Sequence, residues 1–427
     1  MAMRTTTGTQ AEPTASAIIG AAARLRRADP CPPDRVAAAL ARVAEQWRDE
    51  QHVFRHETVA ELSAALKMTS ALLDESLTAL LEPLTAPALE SLALRLYRVN
   101  RLFGFVMPGN VPGAGIHEIA AALLAGAAVI LKSASRESVF FGNFLGSLTA
   151  TDPAVAARLE IVSFSRNESE AMGAMWAACE GGVVAYGDDA SLAALAAAGP
   201  ASAGRFAGFG SRLSGALMAL DTPEGARPSA AADAAADGLA RDVTLFEQLG
   251  CLSPHHVFVL GGAEEARGFA ARLFRALERL ARRLPPPARL PLGAGAAIRG
   301  LRERARWRAL AQPAGAAAAN EVALWESDGP TVIYDRSAVF SAAPGYRTVF
   351  VSAIDSIDDL GARLGPAAGK LEAFALAAPS DKRGPLEDYL RRLGATYVCE
   401  PGRMQSPPLD WPHGHGGMFA LLREAAR

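Results

Sequence analysis

Leu102-Phe103-Gly104-Phe105-Val106-Met107, followed at once by Pro108-Gly109-Asn110-Val111-Pro112-Gly113-Ala114-Gly115, is the stretch on which the fold turns. Six apolar residues closed by Pro-Gly read as a buried strand, and the glycines and prolines beyond them fix a tight crossing at its carboxyl end. Outward from there the rhythm alternates. Strands are expected near Phe103 to Met107, Ala128 to Lys132, Glu160 to Phe164 and Val183 to Tyr186. Helices are expected near Ile116 to Ala125, Glu137 to Leu148, Glu168 to Ala178 and Ser191 to Ala198. Such a β-α-β-α-β order specifies an α/β protein with a doubly wound, nucleotide-binding type of sheet. A proline- and alanine-rich hinge, Thr222 to Pro228, leads into a second α/β unit. Strands around Val257 to Leu260, Glu321 to Trp325, Thr331 to Tyr334 and Thr348 to Ser352 belong to it, with helices near Glu264 to Arg282 and Ile357 to Leu364.

Before this alternation the pattern from about Asp34 to Arg98 is helical, with Val36, Leu40, Val43 and Trp47 recurring at three and four. Met1 to Ser16 is polar, and Ala17 to Ala23 runs straight into Arg24, Arg26 and Arg27, so the chain is expected to begin disordered. The resulting division is a disordered start and helical segment over 1–98, a Rossmann-like cofactor domain over 99–225, a catalytic α/β domain over 226–395, and a C-terminal segment at the domain seam over 396–427. The last segment carries a strand, Thr396 to Cys399, and a helix from Met418.

Bulk properties remove several classes of function. A net charge of -2 over 427 residues, with no basic stripe bearing aromatics, argues against nucleic acid. The arginine cluster from Arg272 to Arg283 has the spacing of a solvated helix face. No apolar run reaches the roughly 20 residues of a membrane span. Four cysteines, Cys31, Cys179, Cys251 and Cys399, form no C-x-x-C pair and have no histidine at ligand spacing, so neither a metal site nor a disulfide framework is expected, and a cytoplasmic location suits them.

Chemistry is expected at three places. In Glu247-Gln248-Leu249-Gly250-Cys251-Leu252-Ser253-Pro254 a cysteine sits on a turn at the mouth of the strand His255 to Leu260, which suits a reachable nucleophile as well as a small core residue. Asn110 is the one polar side chain of the first crossing loop, either a plain turn asparagine or an amide donor to an oxyanion. Lys132 ends the second strand, where an ammonium group meets solvent or a nucleotide's ribose and phosphate. No strict G-x-G-x-x-G is present.

Taken together, the P-G-N-V-P loop with Asn110, the strand closing on Lys132, the segment Asp242 to Pro254 and the late Trp411-Pro412-His413 resemble the aldehyde dehydrogenase superfamily. Within it they are most similar to the acyl-CoA reductase branch typified by the fatty-acid reductase subunit of bacterial bioluminescence, from about Leu102 to the C-terminus. The resemblance implies Cys251 as nucleophile, Asn110 as oxyanion donor and Lys132 at the adenosine ribose or its phosphate. It also places Ser135, Arg136, Gly187 and Gly210 at the cofactor. It implies an acyl donor held by coenzyme A, a carrier protein or a partner synthetase, and a homo-oligomer.

Departures from the superfamily sharpen the expectation. Aldehyde-oxidising members carry the hydrolytic glutamate in an E-L-G-G-K motif, whereas Gly208 to Ser214 here reads Gly-Phe-Gly-Ser-Arg-Leu-Ser with no glutamate. An acyl-enzyme without that base is resolved by hydride or thiol rather than water, which favours acyl reduction. Three positions after Lys132 the acidic residue of NAD-preferring members is Ser135, with Arg136 beside it, a pattern suited to the 2′-phosphate of NADPH. The E-x-F-G-P motif gives way to Ala342-Ala343-Pro344-Gly345-Tyr346-Arg347-Thr348-Val349. His413-Gly414-His415-Gly416 stands where a histidine, an aspartate and a glycine are usual, leaving His413 as a proton donor or as a loop residue at the seam. His255 and His256 are read as structural or as tuning the thiol. An acylating dehydrogenase running oxidatively shares these residues, and a catalytically silent subunit is the remaining alternative.

Overall fold

A computed structural model describes residues 14–134, 138–165, 167–199, 205–220, 230–311 and 321–427. Five helices open it: α1 (Thr14–Arg27), α2 (Pro33–Gln46), α3 (Val53–Leu66), α4 (Ser70–Leu81) and α5 (Ala86–Ala93). The first α/β unit follows with β1 (Leu102–Val106), α6 (Ile116–Leu124), β2 (Ala128–Lys132), α7 (Val139–Thr151), α8 (Pro153–Ala156), β3 (Leu159–Val162), α9 (Ser169–Ala178), β4 (Gly182–Tyr186), α10 (Asp189–Ala198) and β5 (Phe206–Phe209). Next come β6 (Leu213–Met218), α11 (Ala230–Thr244), β7 (Pro254–Leu260), α12 (Ala263–Arg283), α13 (Leu292–Leu310), β8 (Val322–Glu326), β9 (Thr331–Asp335) and β10 (Thr348–Ile354). The chain closes with α14 (Ile357–Leu364), β11 (Leu371–Ala377), α15 (Ser380–Arg392), β12 (Tyr397–Cys399) and α16 (His413–Ala425).

Five parallel strands in the order β3-β2-β1-β4-β5 make the first sheet. The chain winds outward from β1 to β3, then crosses to β4 on the other side of β1. The crevice between β1 and β4 is therefore a switch point, where ligands bind at the carboxyl ends of the strands. The second sheet runs β12-β11-β6-β7-β10-β9-β8, parallel throughout except for the antiparallel edge pair β8 and β9. Both sheets are buried on two faces, as the unbroken apolar strands Phe-Gly-Phe-Val and Val-Phe-Val demand. The doubly wound α/β reading thus stands.

Two expectations need correction. Residues 14–27 are not a disordered start: Ile18, Ala21, Ala22 and Leu25 form a buried stripe at i, i+3, i+4 and i+7 that covers the first sheet. The arginines that seemed to interrupt it face outward, Arg24 binding Glu160 at 2.6 Å and Arg26 binding Glu180 at 3.1 Å. Residues 206–209 and 213–218 are strands, and so is Leu371–Ala377, none of which the sequence pattern announced. Of these, β6 lies before the hinge yet pairs with β7 and β11 in the second sheet, so the chain passes from one sheet to the other at 209–213 rather than near 225. The expected helix from Met418 is present: α16 spans His413–Ala425, but Gly414, His415 and Gly416 are left-handed, so regular helix starts only beyond them.

Candidate active site

The loop after β1 can turn as sharply as it does because Gly113 (φ 72°) and Gly115 (φ 85°) take left-handed conformations. A Cβ on Gly115 would stand 2.2 Å from Met107 and 3.1 Å from the Tyr186 ring. This tight crossing delivers Asn110 across to the nucleophile loop: its Nδ2 donates to the Leu249 carbonyl at 3.0 Å. It also starts α6, whose third residue is Glu118.

Cys251 lies at the other side of the seam, on a turn before β7, and is half-buried while Cys31, Cys179 and Cys399 are buried. The turn is built against the grain of the backbone. Phe246, Glu247 and Gln248 are three consecutive non-glycine residues with φ of 54°, 51° and 62°, each costing about 1–2 kcal/mol. Side chains hold it in place. Gln248 Nε2 donates to the carbonyls of Pro254 and Thr348, both at 2.8 Å, and its Oε1 accepts from the Thr348 N–H at 2.9 Å. Glu247 accepts from both ends of the Arg347 guanidinium at 3.2 and 2.9 Å, a pair with 1% and 0% of its side-chain surfaces exposed. Arg347 and Tyr346 are left-handed too, and the Tyr346 N–H donates to the Glu247 carbonyl at 2.9 Å. The Ala342-to-Val349 segment therefore serves as the clamp of the nucleophile turn. From the helical segment, Ser76 accepts the Phe246 N–H at 3.1 Å.

On the far side of the turn Ser214 Oγ donates to the Cys251 carbonyl at 2.6 Å. Gln405 bridges the Asp242 carbonyl and Ser253 Oγ at 3.2 and 3.3 Å. The Cys251 N–H has no protein acceptor among the described residues.

His413 is brought to the sulfur: Nε2 stands 3.7 Å from Cys251 Sγ, and Nδ1 bonds Glu118 Oε1 at 2.7 Å. Its ring lies between Phe209 and Trp411, with centroids at 4.4 and 4.3 Å. Buried Glu372 fixes the left-handed turn behind it, accepting from the Gly414 N–H at 3.2 Å and from Thr396, which in turn accepts Trp411 Nε1 at 2.9 Å. Burial alone would lower the imidazole's pKa, but the Glu118 carboxylate and the Cys251 sulfur outweigh it and hold it well above the ordinary range. For Glu118 burial likewise works against the charge, and His413 overcomes it, holding the carboxyl down to about 2. The pair is thus imidazolium and carboxylate at neutral pH. The structure places His413 beside the Cys251 sulfur. Glu118 was missed because nothing local marks it beyond one carboxylate in a helix that is otherwise apolar, Ile-His-Glu-Ile-Ala-Ala-Ala-Leu-Leu.

The remaining expected residues divide. Lys132 ends β2 buried, 5.6 Å from the Phe164 ring, with no carboxylate partner among the described residues, and burial lowers its pKa. Beside it the Ser133 hydroxyl is buried without a hydrogen-bond partner among the described residues. Gly187 opens the turn after β4 and donates its N–H to Phe209 at 3.2 Å. Gly210 follows β5, and a Cβ there would stand 2.6 Å from Asp189 Oδ1. Ser135 and Arg136 lie outside the described residues. His255 accepts from the Ala343 N–H at 3.1 Å and His256 bonds Ser352 at 2.8 Å; burial drops them to about 4 and about 3, so both are neutral structural members of β7. No group of histidine, cysteine and carboxylate ligands suited to a metal occurs among the described residues.

Residues 97–426 match the acyl-CoA reductase (LuxC) family. The chain belongs to that family. Among solved structures it is similar to an NAD-dependent benzaldehyde dehydrogenase from Corynebacterium glutamicum, with 17% identity, TM-score 0.63, and coverage of 95% of this chain and 86% of that one. It is also similar to a variant of aldehyde dehydrogenase C from Pseudomonas syringae in complex with NAD+ and octanal, with 15% identity, TM-score 0.60, and coverage of 90% and 81%. A third likeness is to proline utilization A from Bradyrhizobium japonicum, with 16% identity and TM-score 0.68; 95% of this chain is covered, but it spans only 43% of that protein. These likenesses show the aldehyde dehydrogenase fold. No curated protein sequence matches significantly. Family and fold together support an oxidoreductase acting at an aldehyde or acyl carbon. No described helix is long and apolar enough to cross a membrane.

Two outcomes follow from the geometry. Glu118→Gln removes the carboxylate that sustains the imidazolium, so the His413 titration, followed by NMR of labelled histidine, should move down toward the ordinary imidazole range. An unmoved midpoint would exclude Glu118 as its charge partner. Arg347→Met leaves Glu247 buried without its counter-charge and should cost about 3–5 kcal/mol in urea unfolding, much of it recovered in Glu247→Gln/Arg347→Met. A loss below about 1 kcal/mol would show that the turn does not depend on the pair.

Proposed function

We propose that the protein is an NADPH-dependent acyl thioester reductase that forms an aldehyde through an acyl-cysteine at Cys251. The observation that carries this reading is the Cys251–His413–Glu118 line, a reachable sulfur beside an imidazole whose charge a buried carboxylate sustains. The attacking species is the thiolate, and His413 is the proton-carrying group beside it.

The sulfur attacks the thioester carbonyl, and the oxyanion that forms is met by the Cys251 N–H and the Asn110 amide, which has one N–H beyond the one it gives Leu249. Collapse breaks the bond to the carrier sulfur, which leaves as a thiolate and takes its proton from His413. The acyl group stays on Cys251. NADPH, held by the residues at the carboxyl edge of the first sheet, would supply the hydride, two electrons, to that carbon. His413 stands where it can hold or return a proton as the thiohemiacetal at Cys251 collapses to aldehyde and free cysteine. Acyl thioester, NADPH and a proton thus become aldehyde, thiol and NADP+.

The chain's residues fit the cofactor. Lys132 and the unpartnered Ser133 hydroxyl lie at the carboxyl edge of the first sheet, beside the switch point, a placement suited to the ribose and phosphate of the adenosine half. The lack of a carboxylate in Gly208 to Ser214 supports reduction over hydrolysis. The acyl donor is read as coenzyme A or a protein-borne thioester.

Cys251→Ala should yield no aldehyde from acyl-CoA and no acyl-protein mass increment. NADPH oxidation persisting in that variant would remove the thioester mechanism. Lys132→Met should weaken NADPH at least about tenfold in thermal-shift titration, while the intact protein should prefer NADPH over NADH. Equal stabilisation by both cofactors would overturn the NADPH reading.

A further inference from the structure

One helix serves both halves of the reactive pair. At its carboxyl end α11 runs directly into the elbow of Phe246, Glu247 and Gln248 that presents Cys251. Over its last two turns Gly238, Arg241 and Asp242 share a face, at i, i+3 and i+4, and that face grips the segment linking β12 to α16. Asp242 is fully buried, and its carboxylate accepts from the Gly402 N–H at 2.6 Å and from the Met404 N–H at 3.0 Å. Arg241 takes the other side of the same turn, donating to the Gly402 carbonyl at 3.0 Å. Gly238 lets the two backbones touch: a Cβ there would stand 2.5 Å from the Pro401 oxygen. Gln405 then ties the segment to the nucleophile loop, donating to the Asp242 carbonyl and to Ser253 Oγ. Asp242 lies nine positions before Cys251, and its partner Met404 lies nine before His413.

Other attachments of residues 400–412 are weaker. The ion pairs of Arg403 with Glu82, Arg95 with Asp410 and Arg383 with Glu400 lie at the surface, where such pairs contribute little. Ser406 and Trp411 make neutral bonds, to the Ala79 carbonyl and to Thr396. Bonds from backbone N–H groups to a carboxylate belong to the strong, charge-assisted class. Burial raises the Asp242 carboxyl to about 7, while the two N–H groups, Arg241 and Arg403 draw it down; the Cys399 thiol and the Tyr397 hydroxyl of β12 also face it. When it is ionised, both oxygens are acceptors. We propose that Asp242 is a positioning residue: it latches the C-terminal segment onto the helix that carries the nucleophile elbow, and so fixes His413 against Cys251. Its bearing on turnover rests on reading Cys251 as the nucleophile, whereas the latch itself does not.

Asp242→Asn in the full-length protein keeps the side chain's shape but turns one acceptor oxygen into an N–H donor facing a backbone N–H. With the segment released, His413 leaves the Glu118 carboxylate and the sulfur that hold its pKa up, so its NMR midpoint should fall by at least about one unit. The kcat for acyl-CoA reduction should drop at least about tenfold. NADPH affinity by thermal shift should stay within about twofold of the parent, since Lys132 and Ser133 lie on the first sheet. Asp410→Asn is closer to His413 in the chain but breaks only a surface pair, and should leave the midpoint in place. If Asp242→Asn does not fold, Gly238→Ala carries the test. Alanine suits a helix better than glycine, so its effect comes from the Cβ driving the turn at Pro401 outward, and it should lower the midpoint likewise. An unmoved midpoint in whichever of these two variants folds, an equal shift in Asp410→Asn, or a lowered midpoint with kcat unchanged overturns the proposal. The midpoint is read without turnover, so aldehyde formation surviving Cys251→Ala would remove the thioester reading and leave the latch standing, whereas an unmoved midpoint removes the latch alone.

Discussion

The buried ion pair between Glu247 and Arg347 is the constraint from which the reactive arrangement follows. Three left-handed residues in a row are unfavourable for any L-chain, and they persist only where the surroundings over-determine them. Here a guanidinium a hundred residues away, the Gln248 amide threaded between two strands, and a serine from the helical segment all close on the same turn. The result is a rigid elbow that presents a small thiol at the amino end of one sheet to the carboxyl end of another.

That arrangement gives the two sheets complementary tasks. The first offers carboxyl ends of strands, a glycine-bent loop and Glu118 at the start of a helix. The second offers the elbow. The chain's final segment joins them, since β12 extends the second sheet while α16 packs on β4 and β5 of the first. His413 sits between these attachments, so its position depends on both sheets keeping their relation. The aromatic rings around it exclude water from the imidazole without taking its nitrogens, both of which are committed to Cys251 and Glu118.

Much of the fold is legible where apolar runs end in Gly or Pro, as at Phe103 to Met107 and Val257 to Leu260. It is illegible where alanine and leucine dominate: Leu-Glu-Ala-Phe-Ala-Leu-Ala is a central strand, yet its residues are strong helix formers, and only its neighbours in the sheet decide. The first helix is hidden for a related reason, because the carboxylates that neutralise its arginines lie 136 and 154 residues downstream. In the site, Cys251 and Asn110 are visible through turn chemistry and resemblance. Glu118 and Arg347 are not, because each acquires its meaning from a partner 295 or 100 positions away.

The distribution of the four sulfurs has a further practical meaning. Burial pushes the thiols of Cys31, Cys179 and Cys399 upward, out of reach of reagents at neutral pH, and leaves Cys251 as the one half-open sulfur. Of its four thiols the folded chain therefore offers one to thiol-directed reagents. A thiol-directed dye would accordingly label the folded chain once, and labelling above one per chain would report the opening of a buried thiol.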